Sequence, residues 1–153
     1  MLDFASEHEE SERTHLILLN QIMDDRRFLV GDRSILLPVW RFAGFMLGFG
    51  STIYCPRGMY LTTDAVESFV EEHYQSQIRR LRDEVGLSKR GREDLTALLE
   101  LCCEDKVHHR DDARARADAA GTLPWRGFRW MDDAWRWVVF RMSYAGAAIA
   151  KCV

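Results

Sequence analysis

Leu99 to Asp112 reads Leu-Glu-Leu-Cys-Cys-Glu-Asp-Lys-Val-His-His-Arg-Asp-Asp. Leu99 and Cys102, preceded by Leu95 and Leu98, recur at helical spacing, so the stretch belongs to a helix with Asp105 on its inward stripe. Asp105 and His108 stand three apart on that helix, which puts their side chains about one turn from each other on one face. A carboxylate and an imidazole at this spacing can reach one metal ion together. Helix bundles that hold two metal ions use that device twice, with single carboxylates from two further helices. The chain repeats the pattern at Glu12 and His15, within Ser11-Glu-Arg-Thr-His15, and Glu67 offers a lone carboxylate between the two pairs. Each pair arises easily by chance in a charged chain, but two pairs flanking a lone Glu form a more specific pattern.

The helices outside that stretch are legible in the same way. Phe4 to Arg27 reads as a helix with Leu16, Leu19, Ile22 and Met23 as its apolar stripe, ended by Gly31. Glu12 and His15 sit on it, and a second ionisable group beside an inward His calls for a partner. Tyr60 to Glu84 reads as a long helix in which Glu67 lies between Val66 and Val70, while Glu71 and Glu72 face solvent. Gly86 ends it, and Ser88 with Gly91 marks a short link to a helix over Glu93–Ala120. Beyond His109 that helix becomes strongly polar, the pattern of a solvated face, and Gly121 with Pro124 stops it. Asp132 or Asp133 caps a final helix.

Two segments are unusually apolar or aromatic. Ile35 to Gly50 is apolar nearly all round, interrupted by Arg41, and Gly44, Gly48 and Gly50 would let another backbone or a ligand come close. It is too short to span a bilayer, so it reads either as a buried core helix or as a helix lying on a membrane surface. Cys55-Pro-Arg-Gly58 after it reads as a turn. Four of the five tryptophans fall between Trp125 and Trp137, interleaved with arginines. That mixture suits either a closing helix of the bundle or a membrane interface, where indole sits at headgroup level and Arg meets lipid phosphate.

Composition bounds the rest. The 153 residues, 47% of them apolar, suit one domain over residues 1–153 with a sizeable core. A net charge of -3 and a pI near 6.0 supply no basic face for nucleic acid. Four cysteines without Cys-x-x-Cys spacing read as free thiols in a reducing compartment. Neither a cleavable signal peptide nor an Arg/Ser-rich presequence is visible.

With these residues placed, nearly the whole chain resembles the demethoxyubiquinone hydroxylase family of ubiquinone biosynthesis. Glu12-Arg-Thr-His15 resembles the family's first Glu-x-x-His, and Glu104-Asp-Lys-Val-His-His109 its second. Ala65-Val-Glu67 with His73-Tyr-Gln-Ser-Gln-Ile78 resembles its third ligand helix. Leu37-Pro-Val-Trp40 followed by Gly44 to Gly50 resembles its apolar insertion, and Ala145-Gly-Ala-Ala-Ile149 its last helix. The resemblance implies an all-α, ferritin-like helical bundle with an apolar helical insertion and an extra C-terminal helix. The bundle is expected to be N-terminally incomplete, because the family's first helix, with its Asp-His-Ala-Gly-Glu motif, has no counterpart here.

The resemblance further implies two iron ions, held by Glu12, His15, Glu67, Asp105 and His108, with no catalytic residue beyond these ligands. O2 is the expected co-substrate, an external reductant such as NADH supplies electrons, and a demethoxy quinol with a polyprenyl tail is hydroxylated. His73 and Tyr74 are expected outside the ligands, in hydrogen bonding or proton delivery. The chain is expected at the matrix side of the mitochondrial inner membrane as a peripheral protein, beside a lipid-binding accessory protein. Two departures stand out. Asp105 is one methylene shorter than the family's Glu, and the carboxylate of the absent helix would have to come from Asp3, Glu7, a partner chain or an omitted exon. A non-catalytic quinone- or lipid-binding bundle that has lost its metal is the alternative.

Overall fold

A computed structural model describes residues 2–24, 37–54, 56–83, 88–120 and 129–150. Those residues form five helices and no strand: α1 (Leu2–Asp24), α2 (Leu37–Tyr54), α3 (Pro56–Asp83), α4 (Lys89–Ala119) and α5 (Arg129–Ala150). The fold is all-α, consistent with a ferritin-like bundle. None of these helices is long and apolar enough to cross a membrane. The chain divides into two compact units, Met1–Ala43 and Gly44–Val153, with the division inside α2.

In the first unit, α1 carries Glu12 exposed and His15 buried. The rings of Phe4 and His8 approach to 4.1 Å, and His8 Nδ1 lies 2.9 Å from the Phe4 carbonyl oxygen, which fixes the proton on that nitrogen. Leu16 and Ile17 are exposed, so the inward apolar stripe expected to include Leu16 does not. The stop at Gly31 lies outside the described residues, as do those at Gly86, Gly121 and Pro124.

In the second unit, α3 packs against both α4 and α5. Its buried face includes Tyr60, Leu61, Ala65 and Ile78; α4 contributes Leu99, Cys102, Ala113 and Ala117, and α5 contributes Val139. Polar cross-ties join the three helices at one end. Arg57 donates to the Ala117 carbonyl oxygen of α4 and pairs with Asp132 of α5 at 2.8 Å. Asp64, buried on α3, accepts from Arg114 of α4 and pairs with Arg136 of α5, both at 2.8 Å. Trp135 Nε1 donates to Thr62 Oγ1 at 2.8 Å. Farther along, Arg110 pairs with Glu71, and Tyr144 Oη donates to Glu72.

Several local readings change. Pro56 opens α3, because the first helical position needs no N–H from it, so the expected turn at 55–58 is helical from residue 56. Ser88 is the N-cap of α4, its hydroxyl accepting from the Gly91 N–H at 3.1 Å, so the helix begins at Lys89 and takes in the expected link. The three glycines of α2 have open space where a Cβ would stand, so no close approach explains them. Phe42, Phe45, Met46 and Phe49 of α2 are exposed, which removes the core-helix reading.

Candidate metal centre

Helix α4 has a seam facing α3, and its buried residues are Leu99, Cys102, Lys106, Ala113 and Ala117. They follow one another at spacings of three, four, seven and four residues, which keeps them on one narrow face at 3.6 residues per turn. A lysine thus takes an inward place among small and apolar side chains. Seen down the axis at about 100° per residue, His109 falls beside this seam, Asp105 roughly a quarter turn away, and His108 nearly opposite. The observed exposures agree: His109 and Asp105 are half-buried and His108 is exposed.

On α3, Glu67 is buried, 6% exposed. Its Oε2 lies 3.5 Å from Lys106 Nζ, an ion-pair distance, and accepts no hydrogen bond. A Glu67 carboxylate oxygen and a His109 ring nitrogen lie within 4.8 Å of one another. Burial opposes charge on both members of the pair. It pushes the Glu67 carboxyl up to about 7 and the Lys106 ammonium down to about 8. The mutual attraction at 3.5 Å works against both shifts.

Tyr74 stands seven residues after Glu67, two turns along the same face. Burial, then the neighbouring charges of Cys102, Glu67 and Cys103, push its phenol up to about 12. It therefore keeps its proton over any physiological range and is a permanent donor. His73, a residue round the helix, stacks on Phe69 at 5.7 Å, and one ring nitrogen lies 3.1 Å from Gln77 Nε2.

Glu67, Lys106 and His109 are therefore brought together between α3 and α4. Among the described residues, Glu67, Asp105 and His108 do not gather within 4.8 Å of one another. Glu12 and His15 lie on α1, in the first unit. Sequence reading missed Lys106 and His109 because it followed the carboxylate-to-His spacing. The signal that could have found them is Ala113 and Ala117. These two alanines sit in the polar stretch taken for a solvated face, and with Leu99 and Cys102 they define the seam.

The donor types suit a first-row metal ion: a buried carboxylate with an oxygen that accepts no hydrogen bond, a second carboxylate at Asp105, and imidazoles at His108 and His109. Lys106 opposes such an ion, since its ammonium already faces the Glu67 oxygen.

Comparison with known proteins adds the following. The family model "Ubiquinone biosynthesis protein COQ7" matches residues 1–131. The NADPH-dependent 3-demethoxyubiquinone 3-hydroxylase, mitochondrial, of Mus musculus is 30% identical over 102 residues, 67% of this chain and 44% of that protein. The protein of the same name from Dictyostelium discoideum is 34% identical over 103 residues, again 67% and 44%. The 3-demethoxyubiquinol 3-hydroxylase of Rhodospirillum rubrum is 29% identical over 100 residues, 65% of this chain and 42% of that protein. The chain spans less than half the length of these curated relatives. No solved structure matches it.

Proposed function

The chain belongs to the ubiquinone biosynthesis protein COQ7 family, and on that premise we propose that it hydroxylates a demethoxy polyprenyl benzoquinol in ubiquinone biosynthesis, as a di-iron monooxygenase using O2. The observation that carries this reading is the family match over residues 1–131, which takes in α3 with its buried Glu67 and α4 with its acid and imidazole groups. Glu67, Asp105 and His108 hold metal in this reading, with His109 an additional imidazole near Glu67. Glu12 and His15 join the set on the resemblance alone. Iron held by these residues would supply O2 activation for the hydroxylation, with the electrons drawn from an external reductant.

The chain's own residues have supporting tasks. Tyr74, two turns from Glu67 on α3, keeps its phenolic proton and can donate it in a hydrogen bond. The exposed aromatic residues of α2 and the exposed Trp130, Trp137 and Met142 of α5 rest on a membrane surface, where a polyprenyl tail resides. An external reductant is required. The mammalian and Dictyostelium relatives are named as NADPH-dependent, where the family resemblance suggested NADH. Their names also say mitochondrial, which supports a mitochondrial location; a peripheral place at the matrix side of the inner membrane, beside a lipid-binding accessory protein, enters on the resemblance alone.

A second reading, a quinone- or lipid-binding bundle without metal, is favoured by one observation, the Lys106 ammonium against Glu67. The deciding experiment loads the full chain with Fe(II) without oxygen, then adds a short-tailed demethoxy quinol, reductant and 18O2. Hydroxylated product carrying one 18O is the expected result. Quinol bound but returned unchanged by protein that retains no iron would leave only the second reading.

A further inference from the structure

We propose that Lys106 is a built-in counter-ion for Glu67, which holds α3 and α4 together in the metal-free protein and competes with divalent cations for that carboxylate. The inference rests on the reading above in one respect, that Glu67 faces the cation site. Both side chains are less than a tenth exposed, and Nζ stands 3.5 Å from Oε2. A lysine this buried would normally snorkel its ammonium to water. Here the neighbouring seam positions, Cys102, Ala113 and Ala117, are fully buried, and the stem runs inward to an acid.

Charge balance gives the ammonium its role. An isolated carboxylate between two packed helices is unstable without a positive partner, whether a metal ion or a side chain. Lys106 supplies that charge from within the chain. A divalent ion arriving at the same oxygen must either push the ammonium away or lie beside it, and two cations on one desolvated oxygen repel strongly. Binding a metal and keeping the ion pair are therefore alternatives. The metal-free form thereby keeps a charge-balanced pair between α3 and α4 in place of an unpaired buried carboxylate.

The test uses the metal-free full chain titrated with Co(II), followed by visible absorption and by calorimetry, with thermal unfolding as a second readout. Lys106→Met keeps the unbranched stem and removes the charge; Lys106→Gln serves if the methionine variant does not fold, and Lys106→Arg keeps the charge. The neutral variant should bind Co(II) about tenfold or more tightly than the parent, while Lys106→Arg should show no such gain. At one Co(II) concentration the neutral variant's melting temperature should rise more than the parent's. Equal affinities in parent and neutral variants would overturn the inference while leaving a metal centre in place. Absence of Co(II) binding in a folded neutral variant would overturn both the inference and the di-iron reading.

Discussion

Tyr74 shows how far one position on α3 is tuned by what surrounds it. Its phenol is raised from about 10 to about 12, chiefly by burial and then by Cys102, Glu67 and Cys103, so the folded chain holds this proton more tightly than the unfolded chain does. Tyr74 therefore adds nothing to pH dependence below about pH 10, where both states are protonated. Between about 10 and 12 the unfolded state loses its proton first, and stability falls as pH rises through that window. Urea unfolding of metal-free protein at a series of alkaline pH values should show that decline, and Tyr74→Phe should make it shallower. An unchanged slope in the phenylalanine variant would mean that the phenol meets solvent in the folded state. The residue that sequence spacing could not supply is Lys106. A Lys in a stretch of charged residues reads as solvent-facing by default, and its inward place emerges only once the rotation of α4 is known.

At the level of elements, the existence and order of the helices follow from apolar periodicity, and the structure keeps them all. Their ends moved where local chemistry outweighed the pattern: Pro56 starts α3 and Ser88 starts α4. The Asp105/His108 pair was legible as a helical spacing, yet its direction was not, because spacing says which side chains share a face and not which face meets a neighbour. Asp64 is a buried junction of three helices, receiving Arg114 from α4 and Arg136 from α5. Thr62, one turn from Gly58 and bonded to its carbonyl oxygen, receives the Trp135 indole N–H on the same side. Asp64→Ala should therefore cost about 1–2 kcal/mol, because it removes the acid shared by two guanidinium groups, which water and Asp133 replace only in part. The loss would appear in urea unfolding, and amide exchange should quicken first in α5. A cost below about 0.5 kcal/mol, the range of ordinary surface changes, would mean that solvent replaces the acid easily.

For the molecule as a whole, the surface is the informative part. Phe45 and Phe49 of α2 stack at 5.7 Å while both remain exposed, and Met46 lies between them in sequence. α5 leaves Trp130, Trp137, Val138, Met142 and Ile149 exposed, with the Arg141 guanidinium 6.0 Å from the Trp137 ring. Sequence reading could not choose between core and interface for either helix, since both environments select apolar and aromatic residues. Exposure in the folded chain removes that ambiguity for α2. With no helix able to cross a bilayer among the described residues, an apolar helix of this kind can gain from lipid only by lying along its surface. The chain should then co-sediment with vesicles that contain anionic lipid, and its tryptophan emission should shift to the blue on binding. Phe45→Glu and Phe49→Glu should each weaken binding about tenfold or more, because a buried phenylalanine contributes about 1.5–3 kcal/mol and a carboxylate resists insertion. Neither change touches the described core, so both variants should keep the parent's helical circular dichroism and melting temperature. Binding left intact in the double variant would move the lipid contact to α5. Binding lost only on raising salt would make it electrostatic, carried by Arg136, Arg141 and their neighbours rather than by the phenylalanines.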